Sequence, residues 1–170
     1  MKNLCKPFKD CTPQQLTQGY SDKHRAFDFA STYGKYLVAM ENCIVENIIK
    51  AENWDNQEEL ERGYGVLLRS IENPTVKYSY WHCLPFFCVE VGDTVSQGQP
   101  VSQMGNSGFC MSGGIVVPLN DRSKPPYYGT HVHLSCPENT LERIDWSIPI
   151  KFDLLTTISL TIKSIINFLK

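Results

Sequence analysis

Val76-Lys77-Tyr78-Ser79-Tyr80-Trp81-His82-Cys83 alternates along its whole length. Val76, Tyr78, Tyr80 and His82 share one face, and Lys77, Ser79, Trp81 and Cys83 share the other, which is the period of a β-strand. The pattern continues outward on both sides. Upstream, Gly63-Tyr64-Gly65 leads into Val66-Leu67-Leu68-Arg69-Ser70-Ile71, and Asn73-Pro74 turns that run toward Val76. Downstream, Val89-Glu90-Val91-Gly92-Asp93-Thr94-Val95-Ser96-Gln97-Gly98-Gln99-Pro100-Val101 reads as a hairpin, its apolar residues punctuated by Gly-Asp and Gln-Gly. Repeated short strands with glycine-containing turns predict an all-β architecture.

The chain has 170 residues, with 16 basic and 18 acidic side chains for a formal charge of −2. That length suits one domain whose core needs no metal or disulfide to stand. The charge balance and a pI near 6.1 exclude a basic nucleic-acid footprint. Polar residues interrupt every apolar run well before about 18 positions, so no membrane-spanning helix is expected. The start, Met1 to Pro7, lacks an apolar run behind its lysines and does not read as a signal peptide. Seven cysteines, irregularly spaced and without a C-x-x-C pair, read as reduced, buried thiols. Cys83 and Cys136 are held more open, since each lies near a histidine.

Two stretches depart from the strand pattern. Residues 52–62 are polar and carry five acids, which fits a solvated loop or, alternatively, a cleft wall for cationic groups. In 151–170, Leu155, Ile158, Ile162, Ile165, Ile166 and Leu169 recur at helical spacing, with Asp153 as an N-cap. This predicts a C-terminal amphipathic helix after a domain spanning 1–150. Such a helix could dock on its own domain, on a partner or second copy, or on a membrane surface.

The sequence holds four histidines: His24, His82, His131 and His133. In Gly129-Thr130-His131-Val132-His133-Leu134-Ser135, strand spacing sends both imidazoles to one face and Val132 and Leu134 to the core. In His24-Arg25-Ala26-Phe27-Asp28, a histidine and a carboxylate four apart can converge on a cation, and Phe27 and Phe29 favour a loop leading into a strand. His82 ends the alternating strand. Any one of these is ordinary; together they matter. Two histidines and one aspartate supply three protein ligands and leave a fourth position for water, the arrangement of catalytic zinc. The remaining histidines could handle protons and a developing oxyanion. There is no H-E-x-x-H, so a glutamate base on a helix is excluded.

The ordered set of His24 to Asp28, Tyr80 to His82, Val89 to Gln99, Gly105-Asn106-Ser107-Gly108 and Gly129 to His133 resembles the lysostaphin-type (LytM-like) zinc endopeptidases of bacterial cell walls. Thr17 to Tyr20 and Gly63 to Gly65 resemble that family too, and the likeness covers residues 13–137. It implies a small antiparallel β-barrel or two-sheet core, the duplicated hybrid motif. It also implies one zinc ion held by His24, Asp28 and His133, with His82 and His131 as the catalytic pair. The implied substrate is a peptide bond in peptidoglycan stem or cross-bridge peptides.

Ala26 stands where the family commonly has glycine. Residues 109–128 form a longer insertion than usual before the His131 strand, so Tyr127 and Tyr128, with Tyr80 beside His82, are the expected substrate-binding residues. Residues 151–170 lie outside the resemblance. A non-catalytic zinc-binding or scaffold module on the same fold is the alternative reading, opposed by the filling of all five site positions. The hairpin also resembles those of biotinyl and lipoyl carriers, but the Met-Lys pair they need is absent. With no export signal read, the expectation is a phage-encoded or virion-associated lysin acting on the cell wall, with the C-terminal helix as a virion or self-association element.

Overall fold

The structure is a computed structural model that describes residues 3–50, 62–152, 158, 159 and 162. The acidic stretch and most of the expected C-terminal helix fall outside the described residues; Ile158, Ser159 and Ile162 are helical and exposed. No helix among the described residues is long and apolar enough to cross a membrane.

The regular structure of the described chain is almost all strand. It comprises β1 (Leu16–Gln18), β2 (Ala26–Ala30), β3 (Tyr36–Val38), β4 (Cys43–Ile49), β5 (Tyr64–Ser70) and β6 (Lys77–Phe87). Then follow β7 (Thr94–Val95), β8 (Pro100–Met104), β9 (Met111–Ser112), β10 (Ile115–Val116), β11 (His131–Ser135) and the one-turn helix α1 (Thr140–Arg143). All strand pairs are antiparallel. Nine strands form one sheet in the order β1-β2-β11-β6-β5-β4-β7, from which β8 branches at β6 and carries β3. β9 and β10 form a separate ribbon inside the 109–128 insertion. The sheet stays open between β1 and β7, so the all-β core is not a closed barrel.

β6 is the hub, pairing with β5, β11 and β8. Its first residues pair with β11 and β5, and from Cys83 onward it pairs with β8. The core gathers on the faces these strands share: Phe29, Leu68, Tyr78, Tyr80, Met104, Val132 and Leu134 are fully buried. Burying such side chains contributes roughly 1.5–3 kcal/mol each.

The expected hairpin over Val89 to Val101 does not form. β7 pairs with β4, whereas β8 pairs with β3 and β6. The two glycine turns are held from elsewhere: Gly92 N–H donates to Val45 O and Gly98 N–H to Ala39 O. Strand pairing beyond the segment therefore outcompetes pairing within it.

Candidate metal centre and histidine cluster

Asp28 sits in the middle of β2, and His24 lies in the turn that feeds it, where Ser21 and His24 exchange backbone hydrogen bonds of 2.9 and 3.0 Å. β11 runs antiparallel to β2 with His133 opposite Asp28 and His131 opposite Ala30. Directly opposed residues share a face with their Cβ atoms about 5 Å apart, so this register delivers both imidazoles to the carboxylate. Burial alternates along β11, with Val132 and Leu134 in the core as expected.

His82 reaches the cluster by a different route. Trp81 lies opposite His133, so regular alternation would send His82 to the core face beside Tyr80. Instead His82 adopts a φ of 61°, which breaks the alternation. Its ring comes to 4.6 Å from that of His131 and 5.8 Å from that of His133, centroid to centroid. A non-glycine residue in the left-handed region costs about 1–3 kcal/mol and persists only where its surroundings hold it. Here Gly105 does so. Its N–H donates to His82 O at 3.0 Å, and its carbonyl accepts the His131 N–H at 3.3 Å, so one residue bridges the two histidine backbones.

Three backbone carbonyls define the imidazole tautomers. His24 Nδ1 lies 3.0 Å from Gly19 O, His82 Nδ1 2.7 Å from Ser107 O, and His131 Nδ1 2.7 Å from Gly129 O. A carbonyl only accepts, so each Nδ1 carries the proton and each Nε2 is left with a lone pair. Burial lowers His82 to about 3, helped by the neighbouring His131. Burial also lowers His131, against the opposing pull of the Gly129 carbonyl and Asp28. Burial pushes the Asp28 carboxyl up, yet the imidazoles of His133, His131 and His24 together outweigh it and leave that group below its usual value.

The donor set fits a small divalent cation. Asp28 Oδ1 is buried and has no well-aligned hydrogen bond. It lies 3.0 Å from His133 Nδ1 and 3.2 Å from His24 Nε2, and those two nitrogens are 3.2 Å apart. Tetrahedral zinc with bonds of about 2.0 Å places its ligand atoms about 3.3 Å from one another. Three electron-rich atoms at that spacing require a proton or a cation among them. His24, Asp28 and His133 could therefore hold zinc, with the Gly19 carbonyl orienting His24 as such ligands commonly require.

All five expected metal and catalytic residues are brought together. Tyr80 is not with them. It is fully buried, and its hydroxyl donates to Val38 O at 2.8 Å. The expected substrate-binding role is thereby corrected: Tyr80 is a core residue, because the turn at His82 swings the histidine away from the face Tyr80 occupies. Tyr128 is 60% exposed, and Tyr127 stacks on Tyr33 with centroids 4.1 Å apart and planes 16° from parallel. Tyr33 carried no sequence signal as a neighbour of the insertion. The insertion is thus docked on the β2–β3 loop. Thr130 Oγ1 ties it to the His131 strand by donating to Tyr127 O at 2.6 Å. Burial pushes the Cys83 and Cys110 thiols up to about 12 and Cys136 up to about 11, so none is a thiolate at neutral pH.

No protein-family model matches the chain, and no curated protein does. Solved structures do match. A peptidase M23 chain from Pseudomonas aeruginosa aligns with 78% of this chain and 44% of its own, at a TM-score of 0.54 and 20% identity. A zinc-containing peptidase from Vibrio cholerae aligns with 90% of this chain and 39% of its own, at 0.52 and 18%. Lysostaphin, an antimicrobial peptidase from Staphylococcus simulans, aligns with 84% of this chain and 53% of its own, at 0.52 and 15%. This chain therefore spans about two fifths of the first two and about half of the third. The likeness is one of fold: the architecture is that of the lysostaphin-type M23 peptidases.

Proposed function

We propose that this chain is a zinc-dependent endopeptidase that hydrolyses peptide bonds in peptidoglycan stem or cross-bridge peptides. The observation that carries the reading is the triangle of His24 Nε2, Asp28 Oδ1 and His133 Nδ1, with sides of 3.0 to 3.2 Å, beside two further imidazoles. Zinc bound there would supply Lewis acidity, polarising a peptide carbonyl and lowering the pKa of a water to about 7. His82 and His131 each keep an Nε2 lone pair, the form that accepts a proton from an attacking water, and their rings lie side by side. His131 is the better placed to carry the resulting charge, since its Nε2 lies 3.8 Å from Asp28 Oδ2. The proton it takes is the one the leaving amine needs when the C–N bond breaks. His82, buried and kept neutral, lines the same space.

The fold shared with an antimicrobial peptidase supports a cell-wall substrate. Seven unpaired cysteines suit synthesis in a reducing compartment, which favours a phage-encoded or virion-associated lysin. The test combines metal analysis with hydrolysis of defined muropeptides read by mass spectrometry. His24→Ala, Asp28→Ala and His133→Ala should lose both zinc and hydrolysis, whereas His82→Ala and His131→Ala should keep zinc and lose hydrolysis. Wild-type rates in the last two variants would refute the assignment.

A further inference from the structure

We propose that Asn106 is a positioning residue that orients both members of the His82–His131 pair, and through them ties their alignment to the docked insertion. The inference rests on the reading of those two histidines as the catalytic pair. Asn106 is fully buried and spends both ends of its amide. Its Nδ2 donates to Tyr128 O at 2.8 Å, and its Oδ1 accepts the Ser123 N–H at 3.0 Å. The residues next to these contacts carry the carbonyls that set the imidazoles. Ser107, following Asn106, holds His82 Nδ1 at 2.7 Å; Gly129, following Tyr128, holds His131 Nδ1 at 2.7 Å.

One side chain thus fastens together the two short backbone segments that orient the two rings. The segment at Ser107 is anchored on its other side as well. Ser107 Oγ donates to Cys83 O at 2.7 Å and accepts the Tyr64 N–H at 3.0 Å. The segment at Tyr128 and Gly129 is tied to the 105–108 loop by Asn106 at 2.8 Å, beside the longer bond of 3.3 Å from His131 N–H to Gly105 O. Without Asn106, the Tyr128–Gly129 segment loses its shortest tie to that loop, and the Gly129 carbonyl is held less firmly as the acceptor that keeps the His131 proton on Nδ1. The metal triangle lies outside this arrangement, because His24 takes its orientation from Gly19 and Asp28 from β2.

The experiment uses the zinc-loaded full chain with 15N-labelled histidine, read by long-range proton–nitrogen NMR alongside metal content and muropeptide hydrolysis. In the wild type, His82 and His131 should each show a single Nδ1-protonated tautomer. In Asn106→Ala His131 should become a tautomer mixture, and His82, whose Ser107 carrier keeps two other ties, should change less. Zinc stoichiometry should be unchanged, kcat down about tenfold or more and KM little changed, the scale seen when an orienting partner is removed. Unchanged tautomers in the folded variant, or loss of zinc along with them, would overturn the proposal. Should Asn106→Ala fail to fold, Asn106→Asp keeps the shape and the acceptor for Ser123 but removes the donor to Tyr128. A His131 that stays in one Nδ1-protonated tautomer there overturns it equally. A wild-type chain that cleaves no muropeptide would defeat the catalytic reading alone, since the tautomer comparison judges Asn106 without turnover.

Discussion

Replacing Gly108 by alanine should damage stability and hydrolysis together, and the size of both effects can be worked from the packing. Gly108 has a φ of 72°, and a Cβ built there would lie 2.3 Å from Gly63 N, 2.6 Å from Arg62 C and 2.8 Å from Gly63 Cα. All three obstacles are backbone, so no side chain can rotate away. Ordinary contact begins near 3.4 Å, which means that the 107–108 backbone must retreat by about 1 Å. Left-handed strain adds about 1–2 kcal/mol and the overlap about 1–3 kcal/mol, for a loss of roughly 2–5 kcal/mol. At about 2–4 °C per kcal/mol for a chain of this size, Tm should fall by roughly 4–20 °C. The same retreat draws the Ser107 carbonyl from His82 Nδ1, and a 1 Å misplacement near a reacting centre can cost about 100-fold in rate. Gly98→Ala is the control: its φ is 82°, but nothing lies within 4 Å of the added Cβ, so it carries strain without overlap. Calorimetry and muropeptide hydrolysis on both variants make the comparison. Equal Tm shifts, with full activity in Gly108→Ala, would refute the coupling of that glycine contact to the site.

Tyr80→Phe should lower stability by about 1–3 kcal/mol, because Val38 O loses its buried donor, while hydrolysis per folded molecule stays at the wild-type rate; a raised KM would instead restore Tyr80 as a substrate contact. His82 is neutral when folded down to a pKa of about 3 but protonates near 6.5 when unfolded, so the unfolded chain binds the extra proton between those values and stability should fall on acidification through that window. In chelator-treated protein, the loss from pH 7 to 5 should be smaller in His82→Gln by roughly 2 kcal/mol, read by denaturant unfolding, and equal losses would show that His82 is not the group responsible. Tyr33→Ala removes the ring stacked on Tyr127 and should expose the 109–128 insertion to limited proteolysis while zinc content is unchanged; an insertion as resistant as in the wild type would mean that the stack does not hold it.

The parts of this molecule legible in the sequence are those with a local period. Alternation along Val76 to Cys83 and along His131 to Ser135 marked two strands, and the i, i+2 spacing put His131 and His133 on one face, as the burial of Val132 and Leu134 confirms. The order of the short motifs pointed to the lysostaphin-type fold, which the solved structures share. The same local period misplaced Tyr80, because alternation assumes an unbroken strand and nothing within residues 76–83 signals a left-handed His82.

That break belongs to the tertiary structure. It is held by Gly105 and by a Ser107 carbonyl 25 positions away, on a loop pinned against β5 and β6. The same holds for the tautomers of His24, His82 and His131, since each of those imidazole protons is placed by a backbone carbonyl, and every residue type carries one. The sequence by itself therefore determined which side chains could meet around a cation and in which fold. Only the packing of distant backbone segments decided which way each ring points, and that long-range geometry has no counterpart in residue identity or spacing.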